Sequence, residues 1–334
     1  MRPIATSPQR QRGVALIIAL ILVALATILA TKLSFDGFLE RRRTIGVLAV
    51  EQALHFGMGA EALAADVLIQ DLQNSSTLTT LAAPWAQPTK PLPITPESNP
   101  EGEPIGTLQG ELEDMQGRFN LNSLARLGPD GKTEDPLPLQ QFQRLLASVG
   151  VEPRWAGLAR DWIDPDDNVS DPDGAEDAVY TSQTPPYRTG NSPMLSASEL
   201  LNLPGFGADR YRKIAPYVTA LPNTNNTINI CTAPALVLES LVEGLSGEWS
   251  GNPAVLANGR KTGCFPDKTT FTNVATTSAG PKAMASIGNP IDTKSSYFQL
   301  TTRVTLGTTQ FTLYSLLWRQ NSKVTPLLRS FGTN

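Results

Sequence analysis

The densest chemistry in this sequence is acidic. The run Asp161-Trp162-Ile163-Asp164-Pro165-Asp166-Asp167-Asn168-Val169-Ser170-Asp171-Pro172-Asp173-Gly174-Ala175-Glu176-Asp177 carries seven carboxylates from Asp164 onward and no basic residue. Charges of one sign at that density repel one another unless water solvates them or a hard cation bridges them. Ca²⁺ takes six to eight oxygen ligands in flexible geometry, which a loop mixing Asp, Asn, Ser and Gly can supply. The spacing is not that of an EF-hand. With Asp164, Asp166 and Asn168 as the first ligands, Val169 stands where the glycine is required and Ala175 where the terminal Glu is required. Composition alone favours a solvated acidic loop.

Other reactive side chains are few. His55 is the only histidine, and Cys231 and Cys264 are the only cysteines. That removes a His-based triad and a Cys/His zinc site. In an oxidising compartment the two cysteines form a structural disulfide worth ~3–4 kcal/mol on the loop-closure model; two free buried thiols are the alternative. Neither lies in a CxxC arrangement that would activate it. A calcium-dependent hydrolase using Glu176 and Asp177 lacks an identifiable nucleophile and base, so the chain reads as a protein that is not an enzyme. Over 334 residues, 27 basic side chains meet 31 acidic ones, a formal charge of -4 with no field to attract nucleic acid. The low charged fraction, 17%, and 27 prolines argue against a coiled coil or a wholly helical bundle.

The elements that position these groups begin with an apolar rod. Residues 14–31, VALIIALILVALATILAT, carry no charge and at ~1.5 Å per residue reach ~27 Å, close to the hydrocarbon thickness of a bilayer. A secretory signal peptide cut after Ala24-Leu25-Ala26 is one reading. Against it, the run exceeds an ordinary h-region of ~7–15 residues, and the helical pattern continues beyond. Phe38, Ile45, Leu48, Leu54, Met58, Leu63, Val67, Leu68 and Leu72 carry an apolar stripe to about residue 73, and that stripe requires a sheet to cover it. Gly57 and Gly59 weaken this helix unless close packing explains them.

Seven prolines between Pro84 and Pro104 exclude a helix or a central strand there and predict an extended loop. Alternation after Ile105 predicts strands, ending near Asn120 and Asn122. YFQLTTRVTLGTTQFTLYSLLWRQ predicts a β-hairpin around Gly307, with a third strand near Lys323-Val324-Thr325. Between these halves, 139–150, 155–163, 196–203, 207–218 and 233–243 read as short helices. Leu203-Pro204-Gly205-Phe206-Gly207 resembles a helix-hairpin-helix; its basic residues Arg210, Arg212 and Lys213 are few, and it reads as a helix-packing device, with no nucleic acid as partner.

Two resemblances sharpen these readings. Arg10-Gln11-Arg12-Gly13 followed by Val14-Ala15-Leu16-Ile17-Ile18 resembles a type IV prepilin leader. That implies cleavage between Gly13 and Val14 by a prepilin peptidase, methylation of the new terminus, and retention of the apolar helix in the membrane. Pilins usually carry Glu at the fifth mature position, where this chain has Ile18. A subunit without that carboxylate cannot neutralise the amino terminus of a neighbour ahead of it, which suits the filament tip. GRFNLNSL (117–124), DWIDPDD, GAEDAVY (174–180), PPYRTGN (185–191) and SELLNLPG, in that order, resemble the K-type minor pseudopilin of type II secretion systems.

The second resemblance implies an α+β, type IV pilin-like fold: a long N-terminal helix on an antiparallel sheet, with a large inserted, mainly α-helical domain. It divides the chain into a leader (1–13), a membrane-spanning part (14–33), the stalk helix, Pro-rich loop and first strands (34–123), the inserted domain (124–225), and a return to the sheet (226–334). It implies a calcium ion whose family ligands fall on Asp164 and Asp166 and on Gly174 to Asp177, including Glu176; Asp167, Asp171 and Asp173 are added on composition. It implies single-pass residence in a bacterial inner membrane with the bulk of the chain periplasmic. The expected partners are the I- and J-type minor pseudopilins, an H-type one, the major pseudopilin, the peptidase and membrane lipid. The implied function is to cap the pseudopilus tip, promoting assembly and export of folded proteins across the outer membrane. A type IV pilus tip adhesin is the rival reading.

Overall fold

The computed structural model describes residues 12–332 apart from 76, 97, 100, 261 and 280–290. Helix α1 runs from Arg12 to Asn74 without a proline to break it. The strands are β1 (Leu92–Ile94), β2 (Gly106–Asp114), β3 (Phe119–Asn120), β4 (Val218–Thr219), β5 (Ile228–Asn229), β6 (Ile291–Asp292), β7 (Tyr297–Leu306), β8 (Thr309–Gln320) and β9 (Lys323–Phe331). Five of them form an antiparallel sheet in the order β1-β2-β7-β8-β9. The hairpin expected around Gly307 joins β7 to β8, pairing Leu306 with Thr309 across a two-residue turn; Gly307 has φ 57°, the positive φ that such turns demand. Within the Pro-rich stretch, Leu92–Ile94 does form a strand. It lies at the sheet edge, where Pro93 can do without a ladder donor.

The sheet covers a different stripe of α1 from the one its large apolar residues mark. Ala53, Gly57, Ala60, Ala64 and Leu68 face Phe298, Leu300, Val304, Leu313 and Leu317, whereas Leu48 and Leu63 remain more than half exposed. Leu68 apart, the helix residues on this face are small, which lets bulky strand residues approach the helix axis. A Cβ on Gly57 would stand 3.0 Å from Leu313 Cδ2, so close packing accounts for that glycine, while Gly59 has open space. Two ionic contacts fix the register of helix on sheet. Glu61 accepts from Ser315 Oγ (2.5 Å) and from Arg329 of β9 (2.7 Å). Burial works against its charge, yet the bonds from Arg329 and Ser315 hold its carboxyl below the usual range. Nearer the end of α1, Arg319 donates to Asp71 (2.9 Å), the Leu68 carbonyl, Thr79 Oγ1 and the Ser295 carbonyl.

A second, larger body follows Asp114. It contains α2 (Pro136–Ser148), α3 (Trp155–Ile163), α4 (Asp177–Tyr180), α5 (Gly207–Ile214), α6 (Ala235–Ser240), α7 (Pro253–Gly259) and α8 (Lys268–Ala279). The segment 196–203 is a 3-10 helix, Ala197–Asn202, behind a Ser196/Glu199 capping box. One continuous core runs from Phe119 through Phe142, Trp155 and Tyr180 to Trp249, Phe271 and Ala275. The helical body therefore extends past residue 225, the limit drawn from the sequence, because α6 to α8 pack into the same core and the chain returns to the sheet only at Tyr297. Cys231 and Cys264 are disulfide-bonded inside it. Two buried amides staple its entry. Asn122 bonds Met194 and Leu221, and Asn120 bonds Leu221 and Asn223, satisfying backbone groups that no strand reaches.

Sheet and helical body meet where Asp114 ends β2. Its carboxylate accepts from Ser295 Oγ, Thr232 Oγ1, Asn229 Nδ2 and the Gln116 amide. Burial pushes its pKa up, against the pull of those bonds. Because Leu68 and Asp71 of α1 lie at this same end of the sheet and Ala53 at the other, the helical body sits at the end of α1 remote from the apolar segment.

Candidate metal centre

The acidic loop joins α3 to α4, and one carboxylate absent from the expected ligand set organises it. Asp161, fully buried on α3, accepts from the Ala175 amide (2.7 Å) and the Ser170 amide (3.1 Å), closing the loop back onto its own start. This requires glycine at 174: a Cβ there would lie 2.2 Å from Asp161 Oδ2 and 2.5 Å from the Ser170 nitrogen. Burial raises the Asp161 pKa, while its bonds to Ser170 and Ala175 oppose the rise.

Asp164 and Glu176 are only 4% and 5% exposed. Asp164 Oδ1 and both carboxylate oxygens of Glu176 are buried without a hydrogen-bond partner, as is Asn191 Oδ1. Burial first, and the neighbouring carboxylate charges of Asp161 and Asp166 second, push Asp164 up to about 7. Glu176 rises to about 7 for the same reason, with Asp161, Asp167, Asp166 and Asp177 as the repelling charges. Orphaned buried oxygens of this kind are costly. All are hard ligands.

The remaining expected ligands have other positions. Asp166 is exposed and accepts from the Asn168 amide (2.8 Å), and Asp167 is bonded to Asn191 Nδ2 (3.1 Å). Asp177 begins α4, where it holds Thr189 through its amide and hydroxyl and pairs with Arg188. Asp171 is exposed and Asp173 half-buried in the outer turn of the loop. Among the described residues no three His, Cys, Asp or Glu side chains stand in the arrangement of a closed metal site. The orphaned oxygens of Asp164, Glu176 and Asn191 nevertheless fit a hard cation in chemistry, with Asp166 among the carboxylates close enough to repel both Asp164 and Glu176. Asn191, at φ 40°, was not among the expected ligands; its signal was the PPYRTGN segment, whose amide faces the acidic loop.

Other candidate features fall into place around this loop. The hairpin at 203–207 uses positive φ at Gly205 and Gly207, but its basic residues are engaged within the chain. Arg210 makes a two-pronged pair with Glu152 (2.9 Å on each prong) over the Trp155 ring, Arg212 pairs with Asp209, and Lys213 donates to the Gly150 carbonyl. Helix α1 is long and apolar enough to cross a membrane, and none of its most apolar stretch is buried. Val14 and Ile18 are exposed on it; the leader through residue 11 lies outside the described residues.

A long N-terminal helix, apolar at its start and packed at its end on an antiparallel sheet that carries an inserted helical body, defines a pilin-like protein. The family described as type II secretion system (T2SS), protein K, matches residues 117–223. Type II secretion system protein K of Aeromonas hydrophila is 33% identical over 97% of this chain and 97% of its own length. That of Pseudomonas aeruginosa is 35% identical over 96% and 93%. A chain in the crystal structure of the GspK–GspI–GspJ complex from the enterotoxigenic Escherichia coli type 2 secretion system superposes with a TM-score of 0.74 at 27% identity, covering 87% of this chain and all of that one. The chain belongs to the type II secretion system protein K family.

Proposed function

We propose that this chain caps the tip of the type II secretion pseudopilus, as the subunit on which assembly starts. The observation that carries the reading is the placement of the helical body at the end of α1 farthest from the apolar span. Subunits of a helical filament add by bundling their α1 helices, and a body of this size above the sheet leaves no room for a copy stacked ahead. Ile18, where a pilin carries Glu, fits the same position, because no amino terminus lies ahead to be neutralised. The work is assembly, not catalysis.

The partners follow from the relative whose solved complex contains GspI and GspJ. Here the I- and J-type pseudopilins bundle with α1, the H-type and major pseudopilins continue the filament below, and the prepilin peptidase cuts between Gly13 and Val14 on the cytoplasmic side. The helix then stays in the inner membrane with the rest of the chain periplasmic. Calcium binds through Asp164, Glu176, Asn191 and Asp166, supplying the positive charge that the buried carboxylates lack and so setting the shape of the helical body. Co-expression of the full chain with I- and J-type pseudopilins tests the assembly reading. Native mass spectrometry is expected to give a complex with one copy of each, and failure to associate refutes it.

A further inference from the structure

Beyond the cleavage point, every Lys and Arg of α1 falls in one short stretch. Lys32, Arg41, Arg42 and Arg43 follow the apolar run, and no Lys or Arg comes again before Lys90. Past Arg43 the acidic and basic side chains of α1 are all carboxylates: Glu51, Glu61, Asp66 and Asp71. The three adjacent arginines are all exposed. Cations clustered on the translocated side of a span also run against the usual bias of flanking charge.

The rise of the helix sets their depth. With the hydrocarbon across residues 14–33, Phe35 and Phe38 stand ~32 and ~36 Å from Val14, and Arg41 to Arg43 stand ~40–44 Å from it. A bilayer has ~30 Å of hydrocarbon and measures ~40–45 Å with both head-group layers. The two phenylalanines, 59% and 51% exposed, therefore lie at head-group level, with the arginines at its outer margin. Side chains on a helix lean toward its N-terminus, so these arginines reach back toward the membrane. Two contacts record that lean. The Arg42 guanidinium lies 4.8 Å over the ring of Phe38, one turn closer to the bilayer, and Arg43 Nη1 lies 3.3 Å from Glu40. Among the described residues Arg41 and Arg42 have no carboxylate partner, and the Arg43–Glu40 pair, with side chains 74% and 72% exposed, is of the weak surface kind.

We propose that Arg41, Arg42 and Arg43 form a clamp for the phosphate groups of anionic phospholipid, in the leaflet through which α1 leaves the membrane. At 3.6 residues per turn, three adjacent arginines fan over ~200° of the helix circumference. A partner helix docks along one face and meets one or two of them, whereas head groups surround the helix and meet all three. The guanidinium fork matches a phosphate with two parallel hydrogen bonds, and Phe38 holds one of the three forks in place. Such a clamp fixes the depth of α1 before the subunit joins its partners.

The clamp rests on the membrane-anchor reading, and one experiment separates the two. The full chain is reconstituted into vesicles of equal parts phosphatidylglycerol and phosphatidylcholine. Flotation reports insertion, and native mass spectrometry of the released chain counts the lipids that remain bound. Phosphatidylglycerol is expected to be retained about tenfold or more over phosphatidylcholine, since each basic side chain at the surface of an anionic bilayer is worth roughly a factor of five. The preference of the unmodified chain is expected to fall as salt is added. Changing Arg41, Arg42 and Arg43 together to Gln, at exposed positions whose replacement leaves Tm unchanged, is expected to bring retention to within about twofold of even; Lys90→Gln is expected to change nothing. Insertion without a preference, or a preference that the triple variant keeps, overturns the clamp and spares the anchor. A triple variant that keeps its lipids but no longer binds the I- and J-type pseudopilins gives the arginines to an acidic partner and also overturns the clamp. A chain that does not float with the vesicles overturns both.

Discussion

Neutralising Asp164 or Glu176 should stabilise this protein when calcium is withheld and abolish its response when calcium is supplied. Asp164 is pushed from the ordinary 3.8 to about 7, first by burial and then by Asp161 and Asp166. At about 1.36 kcal/mol per unit, a rise of that size means that ionising Asp164 at pH 7 costs the folded state about 4 kcal/mol. Asp164→Asn removes the charge and keeps the shape, but it leaves an amide with few partners. The expected net gain is therefore about 1–3 kcal/mol, or ~2–12 °C in Tm at ~2–4 °C per kcal/mol. The assay is thermal unfolding of the full chain in detergent, with excess chelator or with millimolar calcium. The unmodified chain is expected to melt higher with calcium, by ~2.7 kcal/mol when the ion stands at a hundred times its Kd. Asp164→Asn and Glu176→Gln are expected to melt higher than the unmodified chain in chelator and to show no calcium shift. Identical melting of the unmodified chain in both conditions refutes the reasoning, as does a variant that loses stability in chelator.

The same carboxylates set a pH signature. Their folded pKa values lie above the unfolded ones, so the folded state holds more protons between about pH 4 and 7, and stability in chelator is expected to fall as pH rises through about 7. Chemical denaturation at pH 5 and pH 8 checks it, and calcium should remove most of the difference. Arg319→Met strands Asp71 in a buried setting and should cost about 3–5 kcal/mol in denaturant unfolding. Gly57→Leu drives a side chain into Leu313 and should cost about 1–3 kcal/mol, whereas Gly59→Ala, with open space around it, should be neutral or slightly stabilising by the same measurement. Replacing Cys231 and Cys264 by serine removes the disulfide and should lower stability by about 3–4 kcal/mol.

Sequence pattern exposed the frame of this fold because its signals are local. Eighteen uncharged residues make a rod, and alternation around Gly307 makes a hairpin. The helix face that meets the sheet was not legible. Apolar spacing marks the residues a helix could bury, but Ala53, Gly57, Ala60 and Ala64 are selected by how closely Phe298, Val304 and Leu313 must approach. The reach of the helical body was hidden for a related reason: α7 and α8 are short and weakly patterned, and only the shared core with Trp249 and Phe271 places them. At the acidic loop, where the fold leaves Asp171 exposed and Asp173 half-buried, the sequence marked Asp164 and Glu176 by family resemblance and those two by composition. It could not rank them, because burial decides which carboxylates are costly to ionise, and burial depends on Asp161, Gly174 and Asn191 drawing the loop closed.

Position in the fibre tests the account most directly. The chain, tagged for gold labelling in the exposed turn around Asp130 and expressed with its partner pseudopilins, is followed on isolated pseudopili by electron microscopy. A capping subunit is expected to give one label at one end of each fibre and none along the shaft. Labels spaced along the shaft would contradict a role at the tip.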